Sequence, residues 1–192
     1  MSTVLHESIR PNPCGDRPVI HPTAYVDSTA QVIGHVKIGP YVYIGPNAVI
    51  RADEADDDGH VCPIIIGDEC NVQDGVIIHA LAGTEVTIEP RTSLAHGAIV
   101  HGPCRIGEEG FIGFGAVVFN SRCDRGVFVA SRAVVENVNV PADTFIPAFT
   151  FLSQDRINRL RKTEPQERSF MADVVKANRG LAEGYQGLTE AR

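Results

Sequence analysis

The sequence lacks three features that mark common classes of protein: an excess of basic residues, a long hydrophobic run and a regular spacing of cysteines. Its 17 basic and 24 acidic side chains give a net charge of −7, which argues against nucleic acid or an anionic membrane as a partner. No stretch approaches the length of a membrane span, and the first residues lack the basic and apolar regions of a secretory leader. We therefore expect a cytoplasmic protein with no nucleic-acid and no membrane partner.

Cysteine usage excludes two kinds of site. The five cysteines, at positions 14, 62, 70, 104 and 123, form no CxxC pair, and their number is odd. This pattern is poor for a disulfide framework and for a zinc site built on thiolates. At 192 residues the chain is long enough for one domain with a hydrophobic core and too short for two to be expected.

What the sequence does contain is an aliphatic residue at every sixth position. Positions 20, 26, 32, 38, 44 and 50 are all isoleucine or valine, and the phase breaks twice before it resumes at 66 and at 88. Such a repeat predicts a parallel β-helix, in which each short strand buries one aliphatic side chain and three strands complete a triangular turn. An antiparallel sandwich is the alternative, but it would not keep this phase over so many steps. The period leaves the handedness of the coil open.

The same pattern divides the chain into an N-terminal extension at 1–18, an all-β domain at 19–153 and a C-terminal helical segment at 154–192. In the last segment apolar residues recur at helical spacings, and Pro165 predicts a break between a short helix and a longer one. The two phase breaks begin after Ile50 and Ile78, where the extra residues predict loops on one side of the coil.

Two histidines occupy equivalent places in the repeat. His79 follows the aliphatic residue at 78, and His101 follows the one at 100, which lies three sides further along the coil. The repeat thus predicts that they point outward on adjacent turns, with backbones about 4.8 Å apart, so that they can share one metal ion. His96 lies around a corner and points away within one chain. It is either unrelated or completes the site across an interface of a cyclic trimer, giving three neutral imidazoles and an open fourth position, as in catalytic zinc sites.

Three segments closely resemble the corresponding ones of γ-class carbonic anhydrases, which are trimeric left-handed β-helix enzymes. They are NVQDGVIIHA at 71–80, SLAHGAIVHGP at 93–103 and FIGFGAVVF at 111–119, with shorter matches in IRADE at 50–54 and LAEGY at 181–185. The similarity spans essentially the whole repeat region, and all three histidines fall inside matched segments. The resemblance implies a left-handed coil, a homotrimer and the small-molecule substrate pair carbon dioxide and bicarbonate.

It further implies a metal held by His79 and His101 of one subunit and His96 of its neighbour. Zinc is the expected ion, and iron(II) and cobalt are compatible with the same imidazoles. A metal in such a site lowers the pKa of its bound water from 15.7 to about 7, so that metal-bound hydroxide attacks carbon dioxide at neutral pH.

Supporting residues follow from the resemblance as well. Gln73 matches a glutamine that hydrogen-bonds the metal-bound water or the substrate. Arg51 and Asp74 match an arginine and an aspartate that form an ion pair between subunits beside the site, and Asp53 matches a second carboxylate of that network. Asn178, in the tail, matches an active-site asparagine.

The loop after the first histidine departs from the family. The best-characterised archaeal members have a long acidic loop with a proton-shuttling glutamate, whereas ALAGTEVTIEP is much shorter here. Glu54 is therefore the better candidate for the shuttle, and Lys176 replaces a family tyrosine, which would put a cation near the metal. Without an efficient shuttle, metal binding would persist while turnover would be poor.

Three functions stay open from the sequence. The first is a metal-dependent carbonic anhydrase, a carbonate dehydratase. The second is a weakly active or inactive trimer that serves as a scaffold or a bicarbonate-binding subunit. The third is a hexapeptide-repeat acyltransferase that uses coenzyme A and one histidine as a general base, and it explains neither the three ligand-like histidines nor Gln73.

Overall fold

In a computed structural model of the chain, which describes residues 8–190, short strands wind into a coil with three faces. All the strand pairs that form the coil are parallel, and each strand lies beside its counterparts one turn below and one turn above. One face, called the histidine face, contains β1 (Ile9–Arg10), β4 (Gln31–Gly34), β7 (Val49–Ala52), β10 (Ile77–His79), the first parts of β13 (Ile99–Ile106) and β15 (Val117–Cys123), β17 (Val134–Glu136) and β20 (Phe151–Leu152).

The other two faces repeat the pattern. The charged face contains β2 (Val19–Ile20), β5 (Val36–Ile38), β8 (Ile64–Ile66), β11 (Val86–Ile88), the second parts of β13 and β15, and β18 (Asn139–Val140). The covered face contains β3 (Tyr25–Val26), β6 (Tyr43–Ile44), β9 (Asn71–Val72), β12 (Ser93–Leu94), β14 (Phe111–Ile112), β16 (Phe128–Val129) and β19 (Phe145–Ile146). The strands of the covered face form a 7-stranded sheet, one strand for each turn.

The core is the interior of the coil, and it is filled by the aliphatic residues of the sequence repeat. On the histidine face the inward column is fully buried, and it consists of Val32, Ile50, Ile78, Val100, Val118, Val135 and Leu152. No single turn buries its aliphatic residues alone, so the stacked turns stabilise one another. The predicted parallel β-helix with a C-terminal helix is confirmed.

One inward position is held by a cysteine. Cys123 is fully buried and pairs in register with Ile106, five residues after the inward Val118. The six-residue repeat does not predict this position, because the step from Val118 to Cys123 is one residue shorter. A free thiol can fill an inward position because it behaves as a small apolar group. All five cysteines lie within the described residues and are free thiols.

The C-terminal segment forms a 3₁₀ helix at Gln154–Arg159 and then the long helix α1 at Pro165–Glu190. Pro165 occupies the first helical position, where its missing N–H costs nothing, so the predicted break is confirmed. Helix α1 lies along the covered face and runs back toward the first turn, since Phe170 packs on Phe128 and Tyr185 stacks on Tyr25. No helix in the described part of the chain is both long enough and apolar enough to cross a membrane.

Both insertions in the repeat project from the same corner. Residues 53–63 and 80–85 each connect the histidine face to the charged face, and the backbone N–H of Ala82 donates to Glu54 Oε2 at 3.2 Å. The two predicted loops are thus confirmed and touch each other. Within the segment predicted as an N-terminal extension, β1 pairs with β4 through Ile9 and Val32, so these residues join the first turn.

Candidate metal centre

His79 and His101 lie directly beside each other on adjacent strands of the histidine face. In the register, Ile78 pairs with Val100 and His79 pairs with His101. Because Ile78 and Val100 point into the core, the residue after each must point outward on the same side. The prediction that the two histidines occupy equivalent positions on adjacent turns is confirmed.

The two imidazole rings meet edge to face. Their centroids are 4.9 Å apart, and Nδ1 of His79 lies 3.0 Å from Nε2 of His101. Zinc–imidazole bonds are about 2.0–2.1 Å long, so two nitrogens at this separation can bind the same ion. The residue after His101 must be small, since a Cβ added at Gly102 would lie 2.9 Å from Cγ2 of Val86.

Two buried polar atoms beside this pair have no hydrogen-bond partner among residues 8–190. They are Nε2 of His79 and Oδ1 of Asp53, which lie 3.5 Å apart, and Oε1 of Glu54 is 3.4 Å from the same nitrogen. Burial lowers the pKa of His79, and the nearby Arg51 lowers it further, which favours the neutral imidazole. A neutral imidazole is the form that binds metal, and buried groups without partners are typical of a site that a ligand completes. The residues present therefore fit a metal ion.

Carboxylates and an arginine surround the pair on the side of the first loop. Arg51 lies in register with His79 one turn below and donates from Nη1 to Oδ2 of Asp53 at 3.0 Å. Glu54 is 42 % exposed, with one carboxylate oxygen near His79 and the other held by the second loop. Within the chain, then, Arg51 pairs with Asp53. The Arg51–Asp74 pair that the resemblance implies between subunits stays a prediction.

His96 lies at the opposite corner of the histidine face. Its ring stacks on Phe114 with a centroid distance of 5.7 Å, and Nδ1 lies 3.5 Å from Oδ2 of Asp74, one turn below. Among residues 8–190, no three histidine, cysteine or acidic side chains are grouped so that they could hold a metal. A site that includes His96 would need a second subunit.

Gln73 belongs to a buried hydrogen-bond chain on the covered face. Its Nε2 donates to Oδ1 of Asn71 at 3.1 Å, and Nδ2 of Asn71 donates to Oγ of Ser93 at 2.6 Å. Sequence reasoning missed Asn71 and Ser93, although a signal exists. The remaining five strands of this face all have an aromatic residue at the outward position. Asn71 and Ser93 therefore interrupt a column of Tyr25, Tyr43, Phe111, Phe128 and Phe145.

The two predicted residues of α1 lie on different sides of the helix. Asn178 is buried toward the covered face and donates to the carbonyl of Val174 at 2.9 Å. Lys176 lines a cavity together with Arg91 and Glu109, at the corner between the charged and covered faces. Within the described chain, no hydrogen bond joins either residue to the histidine pair.

Comparison with known proteins connects this arrangement to a family. In an alignment of 208 residues, gaps included, the chain is 36 % identical to a carbonic anhydrase of Methanosarcina thermophila. The match covers 96 % of this chain and 82 % of that protein. It is also 36 % identical over 177 residues to the carboxysome assembly protein CcmM of a Nostoc species, covering 86 % of this chain but only 31 % of that longer protein. The carnitine operon protein CaiE of Escherichia coli is 38 % identical over 118 residues, which cover 62 % of this chain and 54 % of CaiE. A sequence model of the bacterial transferase hexapeptide (six repeats) matches residues 17–52.

Solved structures share the fold. A Bacillus cereus protein solved as a candidate acetyltransferase superimposes with a TM-score of 0.80 at 23 % identity, over 94 % of this chain and 97 % of that one. A hexapeptide transferase family protein of Anaplasma phagocytophilum gives a TM-score of 0.78 at 22 % identity, over 94 % and 99 %. At such low identity the likeness concerns the architecture, and the chemistry has to be argued from the site.

Proposed function

Because the chain belongs to the family of γ-class carbonic anhydrases and their hexapeptide-repeat relatives, we propose that it catalyses the reversible hydration of carbon dioxide to bicarbonate at a metal site between subunits. The observation that carries the proposal is the stacked pair of His79 and His101, in which Nδ1 of His79 lies 3.0 Å from Nε2 of His101. This chain covers only 31 % of the relative named CcmM, so an assembly function is the second candidate.

In this proposal His79 and His101 hold the metal together with His96 of the partner subunit. Bound there, zinc, iron(II) or cobalt would supply a water acidic enough to yield hydroxide near neutral pH. Asp53 and Glu54 lie at 3.5 and 3.4 Å from Nε2 of His79 and would orient its ring from outside the metal shell. Asp74 would hold the ring of His96 in the same way from the other corner.

A column of apolar side chains supports the trimer. Between the corner of His96 and the pair of His79 and His101, the histidine face presents six outward residues, called here the apolar column: Val49, Ile77, Ile99, Val117, Val134 and Phe151. Ile77 remains 41 % exposed and Phe151 60 % exposed. Contiguous apolar surface of this kind is typical of an interface, and a closed contact between unlike corners is what threefold symmetry requires. Such packing would place His96 of one subunit against the histidine pair of the next.

Gln73 and Glu54 would act on the reactants. The amide nitrogen of Gln73 is engaged by Asn71, which leaves its carbonyl oxygen able to accept a hydrogen bond from water or bicarbonate. Glu54 extends from the buried side of His79 to solvent, and a carboxylate so placed can carry a proton from the site to buffer. Arg51 would fix Asp53 through their ion pair, and Asn178 would approach the reactants from α1, as the family resemblance implies.

Stopped-flow hydration of carbon dioxide tests the proposal directly. The protein is purified anaerobically, loaded with metal, and compared with the His101→Ala variant as the blank. We expect turnover above the blank together with about one metal ion per subunit. Background rates from a trimer with full metal occupancy would contradict an enzymatic function.

Mixing two inactive variants tests whether the site is shared. His96→Ala keeps the histidine pair, and His101→Ala keeps His96, so each homotrimer lacks every complete site. Each mixed cyclic trimer would contain one complete site out of three, and random exchange of equal amounts should restore about a quarter of the parent activity and metal content. No recovery after verified subunit exchange would contradict a site between subunits.

Replacing Glu54 separates proton transfer from metal binding. We expect Glu54→Gln to retain metal, to lose turnover in weak buffer and to recover it when imidazole is added, because the small base replaces the carboxylate. Glu85, in the second loop, provides a matched control as Glu85→Gln. A loss that imidazole does not restore would leave Glu54 without this role.

A second function is favoured by specific observations. The loop after His79, at 80–85, is short, and one relative at 36 % identity is named a carboxysome assembly protein. A trimer that binds metal but turns over slowly would then serve as a scaffold or as a bicarbonate-binding subunit. The stopped-flow measurement distinguishes the two functions. A scaffold would have the mass of a trimer and a full complement of metal, but it would hydrate carbon dioxide no faster than the blank.

A further inference from the structure

A cavity of about 420 Å³ lies between α1 and the corner that joins the charged and covered faces. Its wall on the side of the coil is formed by Glu69, Arg91 and Glu109, which follow one another on successive turns. Cavities of roughly 300–1,000 Å³ are the usual size for small-molecule sites. This corner is the vertex opposite the histidine face, so the cavity is separate from the candidate metal centre.

The cavity is rich in cationic groups, although the chain carries a net charge of −7. Arg91, Arg168, Lys176 and Arg179 line it together with the carboxylates of Glu69 and Glu109. Each arginine already has a carboxylate partner, so Lys176 is the lining cation whose charge a ligand would neutralise. The lining therefore favours an anion.

The arginines are held in place by carboxylates of the cavity wall and of neighbouring residues. Arg168 donates from Nη1 to Oδ1 of Asp143 at 2.7 Å, and Nη1 of Arg179 lies 3.2 Å from Oε2 of Glu69. A guanidinium has five N–H donors, so such pairs orient it and still leave donors for a ligand. Orientation in advance reduces the entropy that binding would otherwise cost.

Lys176 differs from the arginines. Its side chain makes no hydrogen bond and no ion pair with any residue in the described range 8–190. Its ammonium group carries three donors on a flexible stem, and it lies one turn of helix away from Ala172 and from Arg179. An anion in the cavity would give this ammonium the partner that the chain does not provide.

The floor of the cavity is apolar. Met171 is only 5 % exposed and Val175 is 9 % exposed, and both line the space beneath the basic residues. Inorganic phosphate alone would leave this surface wet, whereas a hydrocarbon body would cover it and gain about 25 cal/mol for each Å² removed from water. The unbranched side chain of Met171 can adapt to such a body.

We propose that this cavity is a binding site for a small organic anion, with a carboxylate or phosphate head toward Lys176 and an apolar body over Met171 and Val175. The two head groups share the same recognition chemistry, and titration of each distinguishes them. The proposal does not depend on carbon dioxide hydration, because no lining residue belongs to the candidate metal centre.

Isothermal titration of the full-length protein with octanoate and with octyl phosphate tests the site. We expect one ligand per chain for at least one of the two, with weaker binding of 1-octanol and of inorganic phosphate. Because a carboxylate can also bind a metal, the titrations are repeated on His101→Ala, where the same affinity is expected. Equal binding of 1-octanol or of inorganic phosphate would overturn the proposal, as would no binding of either anion at millimolar concentration.

Three variants localise the binding. Lys176→Met removes the charge and keeps the length of the side chain, and we expect about tenfold weaker binding. Ala172→Trp fills the space from an exposed helix position and should abolish binding. Lys37→Met, on the charged face, is the matched control and should bind like the parent. Unchanged affinity in both Lys176→Met and Ala172→Trp would place the ligand elsewhere and overturn the proposal.

Discussion

The covered face and the histidine face both have apolar outward columns, but only the first of these columns is covered by another part of the chain. On the covered face an outward column of mostly aromatic residues lies beneath α1, with Phe170 on Phe111 and Tyr185 on Tyr25. On the histidine face the apolar column keeps large side chains exposed, such as Ile77 at 41 %. The first face completes its packing within the chain, whereas the second has the form of a surface that another copy completes.

The charged face differs from both, because it is neither covered by α1 nor rich in exposed apolar side chains. Its outward column is mostly polar, and water can solvate five of its seven side chains. The column consists of Val19, Lys37, Ile65, Thr87, Arg105, Arg122 and Asn139. All three faces have inward columns that are aliphatic apart from Cys123, and all have the same parallel register. The outward residues alone therefore decide whether a face is solvated, covered by a helix or available to a partner.

The largest effect is expected from a charge in the apolar column. In the proposed trimer, Ile77→Asp would bury one carboxylate at each of the three subunit contacts, and burying an unpaired charge costs several kcal/mol for each group. We expect the variant to run as a monomer in analytical ultracentrifugation at concentrations where the parent is trimeric, and to lose metal with it. Ile65→Asp, at an outward position of the charged face, is the matched control and should stay trimeric.

If Ile77→Asp keeps the mass of the parent, the comparison between the two faces fails. The apolar column would then not be the contact between subunits.

On the covered face the corresponding change should affect folding and leave association intact. Phe128 stacks on Phe111 at 4.7 Å and on Phe145 at 5.4 Å, and it also contacts Phe170 of α1. We expect Phe128→Ala to lower the free energy of unfolding by about 3 kcal/mol, at the lower end of the range for phenylalanine because the ring is only partly buried. Urea unfolding measures the loss, and Phe128→Leu should lose less. A variant that dissociates without losing stability would contradict this assignment.

The inward residues were the predictable part of the fold. Aliphatic residues at steps of six predict the coil, its three faces and the pairing of His79 with His101, because the interior admits one such side chain per side. The step of five that ends at Cys123 was not predicted, since a buried thiol does not stand out among aliphatic positions. Pro165 predicted the break before α1 for a local reason, the missing N–H.

The candidate site was predictable only where the repeat fixes it. Equivalent positions determine that His79, His101 and Arg51 form one outward row and that His96 lies above Asp74. The ion pair of Arg51 with Asp53 depends on the path of a loop that has no repeat. The corner cavity depends on where α1 docks, and an amphipathic pattern does not specify which corner a helix will lie against.

A smaller effect is expected from the polar interruption of the covered face. Ser93 accepts from Nδ2 of Asn71, and both residues are 1 % exposed. Ser93→Ala would leave this buried donor unpaired, and we expect a loss of about 1–2 kcal/mol in urea unfolding with the mass unchanged. Ser28→Ala, at an exposed position, is the control and should cost less than about 0.5 kcal/mol. Equal stability of the two variants would show that Ser93 does not hold the series of hydrogen bonds that runs through Asn71 to Gln73.

The smallest effect is expected at Asp27, at the foot of the covered face. Its carboxylate accepts from Oγ1 of Thr29 at 2.6 Å and from the backbone N–H of Thr29 at 2.8 Å, and these bonds lower its pKa. A lowered pKa stabilises the fold above the unfolded-state value of about 3.9, and the stabilisation is lost as the pH falls through the folded-state value. We expect Asp27→Ala to cost about 0.5–1 kcal/mol at pH 7, because the group is partly solvated, and the difference from the parent to shrink as the pH falls below the unfolded-state value.

The Ile77→Asp background turns this pH dependence into a test of the two faces. If the covered face is complete within one chain, the cost of Asp27→Ala and its decline at low pH should be the same in the monomeric variant as in the trimer. Urea unfolding at a series of pH values measures both. A cost that vanishes in the monomer would mean that Asp27 acts through the contact between subunits, and the division between a face closed by α1 and a face closed by a partner would not hold at this corner.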